Sequence, residues 1–228
     1  MTSKVTPKRV LPKHKEHTPY HNARGERVPS VTSIPLGWNT IVLNKWNNKM
    51  GLRGVDTEKY LKDKGEIGSL SHAFCTDYLF RKRTNMEDYS AIQIEEAKHS
   101  FFAFHKWAKP HDIQPIFVEK QLVSEQYQYG GTLDIYGIVD NLKELSDLKS
   151  GSGIYEDMIV QVAAYHNLLV ENGYPVDRVR IINIPRSESE NFVDLDVTAM
   201  VPLAFECFLR ALLNHRAYNQ LRRMRGYS

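Results

Sequence analysis

Between Pro110 and Pro115 the hydrophobic pattern of the chain changes period, and that change constrains the fold more than any other feature. Before it, apolar residues recur at helical spacing. One predicted helix runs from Thr57, read as its N-cap, to about Arg83, with Tyr60, Leu61, Ile67, Leu70, Phe74, Tyr78 and Leu79 on its apolar side. Gly65 and Gly68 weaken its middle and allow a split there. A second runs from about Ser90 to Ala108 and is stopped by Pro110. After the change, Pro115–Val123, Tyr129–Val139 and Leu145–Lys149 alternate as strands. A helix apolar nearly all round follows over Tyr155–Asn172, then two strands, Arg178–Ile184 and Phe192–Val197, and a closing helix from about Pro202 to Arg225. Trp38 and Trp46 fall in a further helix. This order predicts an α/β domain, a mixed central sheet flanked by helices.

At 228 residues, the chain is long enough for one domain, 29–228, behind a basic, proline-dotted arm at 1–28 that is expected to be largely irregular. No apolar run approaches a membrane span and no signal-like stretch opens the sequence. Two cysteines, Cys75 and Cys207, exclude a disulfide framework and point to a reducing compartment, the cytoplasm, or the host cytoplasm if the source is viral. The net charge of +3 is unevenly spread. Residues 1–30 and 210–228 each carry +5, which leaves −7 for 31–209. Basic ends on an acidic body suit a protein that grips a polyanion with its ends and a cation with its centre, and they equally suit plain solubility. Pro7, Pro12 and Pro19 argue against an amphipathic transit peptide.

The stretch from Gly130 to Lys149 carries the chemistry. Asp140-Asn141 is a hairpin signal between two apolar runs. A two-residue loop sets Asp134 opposite Asp147, whereas a four-residue loop sets it opposite Lys149. In either register Asp134, Asp147 and Lys149 share a face. Two carboxylates on one face of an apolar hairpin repel and are costly to bury. A divalent cation held by oxygen ligands, Mg²⁺ or Mn²⁺, relieves that cost, and a surface salt bridge on a solvated face is the plainer alternative. Glu119 supplies a third carboxylate if its strand neighbours the hairpin. Gln161 and Tyr165 lie one helical turn apart, and a glutamine in so apolar a helix needs a partner: a core group, a metal-bound water or a phosphate. His72, one of nine histidines, is by itself a weak ligand candidate.

Asp134, Asp147-Leu148-Lys149 and Gln161-x-x-x-Tyr165, preceded by Gly68-Ser69-Leu70-Ser71-His72, resemble the PD-(D/E)xK nuclease superfamily, and more narrowly its RecB-type branch, which includes phage exonucleases. Pro29-Ser30-Val31-Thr32-Ser33-Ile34 is similar to the opening segment of phage members. The resemblance spans residues 28–184. It implies a restriction-endonuclease-like core in which His72, Asp134, Asp147 and the Leu148 carbonyl hold Mg²⁺ or Mn²⁺. Lys149 is then the catalytic lysine, and Gln161 and Tyr165 steady the site or touch the scissile strand. Leu133 stands where many members have proline. Many RecB-type relatives use four cysteines for an iron–sulfur cluster, which two cannot make, so the resemblance implies a cluster-free member.

The expected activity is a metal-dependent DNA exonuclease of phage-type replication, repair or recombination, acting on single strands or free ends and served by a recombination or single-strand-binding partner. A structure- or site-specific endonuclease and a catalytically silent binding module are the alternatives. Ser150, Arg222 and Arg223 are expected to contact nucleic acid, with the basic ends on phosphates. Tyr127, Tyr129, Tyr136 and Tyr155 are candidates either for stacking on bases or for strand packing.

Overall fold

The computed structural model describes residues 19–37 and 40–226. The elements in chain order are β1 (Tyr20–His21), β2 (Arg27–Val28), α1 (Thr40–Leu52), α2 (Thr57–Leu79), α3 (Ala91–Ala108), β3 (Ile113–Ser124) and β4 (Tyr129–Val139). Then come β5 (Leu142–Ser150), α4 (Glu156–Glu171), β6 (Arg178–Ile184), β7 (Val193–Asp196) and α5 (Val201–Met224). The change of period in the sequence is the boundary between α3 and β3. Trp46 lies in α1, and Trp38 lies outside the described residues.

β3 to β7 form one sheet in sequence order. Every pairing is antiparallel except β5 with β6, which α4 links as a parallel crossover, so the sheet is mixed with helices on both faces. On one face α4 and α5 enclose Leu145, Leu168, Val179, Ile181 and Phe208. On the other, α2 and α3 bring Cys75 and Phe104 against Ile135, Leu148, Ile182 and Ile184. Each of these large side chains contributes about 1.5–3 kcal/mol by leaving water. β5 and β6 lie inside the sheet, which explains why both are buried on both faces, polar residues such as Glu144, Asp147 and Asn183 included.

Local chemistry sets the element ends. Ser90 and Gln93 form a reciprocal capping box at the start of α3. At α2 the cap is Asp56, whose side chain accepts from the Lys59 N–H, rather than Thr57. Nor does α2 split at its glycines. A Cβ at position 68 would stand 2.8 Å from Ser150 Oγ, so Gly68 lets the helix lie close against the end of β5. Asp140 and Asn141 take φ of 51° and 66°, the left-handed pair of a two-residue hairpin turn.

The arm expected to be irregular departs from that reading at its end, since β1 and β2 pair antiparallel. The Tyr20 hydroxyl bonds Thr132 Oγ1 at 2.6 Å, and the Gly130 N–H donates to the Pro29 carbonyl at 2.9 Å. These bonds strap the segment from Val28 to Ile34 along the start of β4. Residues 1–18 lie outside the described residues.

A buried charged network ties β5 to its neighbours. Glu144 is fully buried and accepts from Ser146 Oγ, Arg178 Nε and Arg180 Nε, while Arg180 also reaches Asp194. Such a network contributes only while every member is paired.

Candidate active site

The hairpin register resolves the choice left open by the sequence. Val139 faces Leu142 and Ile135 faces Ser146, the two-residue-loop register, whose next position sets Asp134 against Asp147. Asp134 stands just beyond the last ladder pair, where β4 and β5 part. Leu133 packs with the α4 side and Ile135 with the α2 side, so the alternation of β4 slips at this aspartate. Asp134 Oδ2 accepts the Leu148 N–H at 2.9 Å, and His72 Nδ1 of α2 lies 3.6 Å from the same oxygen. A residue in an extended strand presents its N–H and C=O on the same edge, so the Leu148 carbonyl leaves toward this gap too.

Asp147 is 1% exposed. Its Oδ2 is paired with the Lys149 ammonium at 2.7 Å, and among the described residues that oxygen has no second partner. Burial, with the Asp134 charge added, pushes the Asp147 carboxyl up to about 6 against the opposing pull of Lys149. Burial would lower the lysine, yet the charges of Asp147 and Asp134 hold it above the ordinary lysine value. A relay then crosses to α4. Lys149 Nζ donates to Gln161 Oε1 at 3.0 Å, and Gln161 Nε2 donates to the Tyr165 hydroxyl at 2.8 Å. The partner that so apolar a helix demanded for its glutamine is thus the lysine. Tyr165 is buried and its phenol is pushed up, chiefly by burial and then by the Asp147 charge. Gly131 makes room for its ring, since a Cβ there would lie 2.6 Å from Tyr165 Cε1.

The structure therefore gathers His72, Asp134, Asp147, Leu148, Lys149, Gln161 and Tyr165, with Ser150 next along β5. Glu119 meets its condition of lying on a strand next to the hairpin: it stands on β3 across from Asp134, between the pairs Val118–Ile135 and Lys120–Leu133, and it is exposed, with φ of 48°. Other expectations fall away from this cluster. Tyr129 and Tyr136 are core residues whose hydroxyls donate to the carbonyls of Ala164 and Pro175, which removes them as stacking platforms. Tyr127 packs edge-on against Phe205, and Tyr155 is exposed and bonded to Ser152. Arg222 and Arg223 are exposed at the end of α5, bonded to none of the cluster.

Two residues escaped the sequence reading. Asn183 is paired in register with Lys149, fully buried, and its Oδ1 has no partner. Its signal was a lone amide in the apolar run Ile181–Ile184. Asp157, one turn before Gln161, adds its charge to those that hold Lys149 protonated.

The two carboxylates and the Leu148 carbonyl are oxygen donors that suit a hard divalent cation, and the His72 imidazole is the softer donor beside them. Among the described residues no three His, Cys, Asp or Glu side chains converge closely enough to hold one as they stand. The arrangement fits a cation of the Mg²⁺ kind, which takes one or two carboxylates and fills its other positions with water and substrate phosphate. The buried Asp147 carboxylate beside Asp134, two like charges with one lysine set against them, is the observation in favour of that fit.

No protein-family model matches the chain, and no curated protein matches it by sequence. Among solved structures, the chain is similar to one from Eubacterium rectale named as an exonuclease. The TM-score is 0.47 at 13% identity, over 71% of this chain and 69% of that one. It is also similar to an alkaline exonuclease from Laribacter hongkongensis, with a TM-score of 0.33 at 11% identity, over 69% and 84% of the two chains. Both likenesses are partial, and the chemistry of the site rests on its own residues. No described helix is long and apolar enough to cross a membrane.

Proposed function

We propose that this protein is a divalent-metal-dependent nuclease that hydrolyses phosphodiester bonds in DNA, acting as an exonuclease, of the RecB-type PD-(D/E)xK kind. The observation that carries the reading is the fully buried Asp147 carboxylate, set opposite Asp134 with a lysine against it. Burying a carboxylate beside a second one is costly, and a fold keeps such a pair where a cation is to be bound.

Asp134 and Asp147 would hold Mg²⁺ or Mn²⁺, with His72 and the Leu148 carbonyl beside them. When bound, the cation acts as a Lewis acid on a phosphate oxygen and lowers the pKa of water. The Leu148 N–H keeps the Asp134 carboxylate aimed into the gap. Lys149 stays protonated through its two aspartates, so it offsets negative charge on the phosphate as the transition state forms. Gln161 holds the ammonium in place, and Tyr165, too hard to ionise, serves only as a donor or acceptor. No iron–sulfur cluster enters this reading.

The test is cleavage of end-labelled linear single- and double-stranded DNA beside closed circular DNA, with Mg²⁺, Mn²⁺ or EDTA. Wild type is compared with Asp147→Ala and Lys149→Ala. The expected result is metal-dependent loss of the linear DNA, intact circles and two inactive variants. Cut circles would convert the reading to an endonuclease. A wild type that binds DNA but cuts nothing with either metal overturns it in favour of a binding module.

A further inference from the structure

Three grooves adjoin one another on the surface that leads away from this site. The first, about 330 Å³, has Asp157, Val160 and Gln161 of α4 on one side and Thr32, Ile34 and Leu36 on the other. The second, about 390 Å³, shares Thr32 with the first and continues past Ser30 and Tyr20 to Arg27. The third, about 550 Å³, shares Arg27, Val28 and Pro29 with the second and is closed by His215, Arg216 and Arg223 of α5. Their shared lining residues set them side by side, and the path they mark out follows residues 27–36 from Gln161 to the basic end of α5.

The lining changes character along the way. At the site end it is apolar with one carboxylate, Asp157. In the middle it is lined by Ser30, Thr32 and Ser33, where the Ser30 and Thr32 hydroxyls bond each other and the Ser33 hydroxyl donates to the Ser30 carbonyl. At the far end three guanidiniums, a histidine and the amides of Asn219 and Gln220 meet with no acid among them. Arg216 is fixed there by donating to the Tyr127 and Gln128 carbonyls. The guanidiniums of Arg27 and Arg223 make no ion pair or hydrogen bond among the described residues, and so keep their donors for a ligand. Unpaired guanidiniums at the end of a polar groove are the chemistry that holds a phosphate backbone.

We propose that a single strand of nucleic acid, continuous with the strand at the active site, lies along this path and is anchored by Arg27, Arg216 and Arg223. The inference rests on the nuclease reading for its direction but not for its test. A second basic groove, lined by Arg81, Lys82, Lys109 and His111 at the ends of α2 and α3, supplies the control.

Binding of fluorescent 4-mer and 20-mer single-stranded oligonucleotides is measured in EDTA across a salt series. Wild type is compared with Arg27→Glu/Arg223→Glu and with Lys82→Glu/Lys109→Glu, two variants with the same charge change. These side chains lie at the surface, and circular dichroism checks that each variant is folded. The 20-mer should bind wild type more tightly than the 4-mer. The path variant should lose tenfold or more on the 20-mer, with a salt slope shallower by about 1.4, near 0.7 for each lost phosphate contact. The control variant should stay within twofold of wild type. Equal losses in both variants, no loss in either, or a wild type that binds no oligonucleotide would each overturn the path. A path variant that binds normally while wild type cleaves DNA sinks the path alone. The expected binding pattern in a protein that cuts nothing sinks the nuclease reading alone.

Discussion

If Asp147 is kept for ligand binding at the expense of the fold, its cost has a calculable pH dependence. Its carboxyl is pushed from 3.8 up to about 6, chiefly by burial. At about 1.4 kcal/mol per pH unit, that interval is worth about 3 kcal/mol. The sign follows from proton uptake. A carboxyl whose folded pKa lies above its unfolded value binds its proton more tightly in the folded state. Stability is then whole below pH about 4 and falls as the pH rises through about 6. Asp147→Asn cannot ionise. It also removes the ion-pair partner of Lys149, but the lysine stays charged throughout this range, so that loss offsets the variant's curve without bending it. Urea unfolding at pH 4, 5, 6 and 7 in EDTA should show wild type losing about 3 kcal/mol relative to Asp147→Asn. Added Mg²⁺ at pH 7, at one hundred times its Kd, should restore about 2.7 kcal/mol to wild type and nothing to the variant. Two curves that stay parallel from pH 4 to 7 would refute the reasoning, because the buried oxygen would then carry no ionisation cost.

Glu144→Gln leaves Arg178 and Arg180 without their shared carboxylate. Because Arg180 keeps Asp194, the loss should be near the lower end for a broken buried pair, about 3 kcal/mol, or a thermal midpoint lower by about 6–12 °C. A shift of under 2 °C in a melting scan would mean the network is neutral. Gly131→Ala drives a methyl group into the Tyr165 ring and should cost about 1–3 kcal/mol by urea unfolding, along with part of the cleavage rate. An unchanged stability would show that the ring moves freely. Lys149→Met should lower kcat by about 10²–10³ with little change in KM, and Lys149→Arg should not restore it, since a planar fork does not replace a point charge held by Gln161. Recovery by arginine in steady-state kinetics would reduce the lysine to a general positive charge.

Much of this was legible in the chain. Tyr129–Val139 and Arg178–Ile184 emerge as strands with the expected bounds, because alternation and buried β-branched runs report the sheet directly. The Asp140-Asn141 turn could be read because few residues accept two successive left-handed conformations. Errors came where a local signal had a distant cause. Gly68 looked like a defect in a helix and is instead the point where α2 meets β5. Tyr129 and Tyr136 looked available because an aromatic on a strand gives no hint of which helix will cover it.

By itself, then, the sequence determined the elements, their order and the set of polar residues that a buried hairpin and an apolar helix must somehow satisfy. These follow from periodicity and from the cost of burying an unpaired polar group, both properties of local sequence. Only the tertiary structure decided who satisfies whom. It set Gln161 on Lys149, buried Asp147 against that lysine, and brought Arg27 and Arg223 to one groove across nearly two hundred residues of chain. Those pairings depend on the sheet order and on the packing of α4 and α5, which no short stretch of sequence contains.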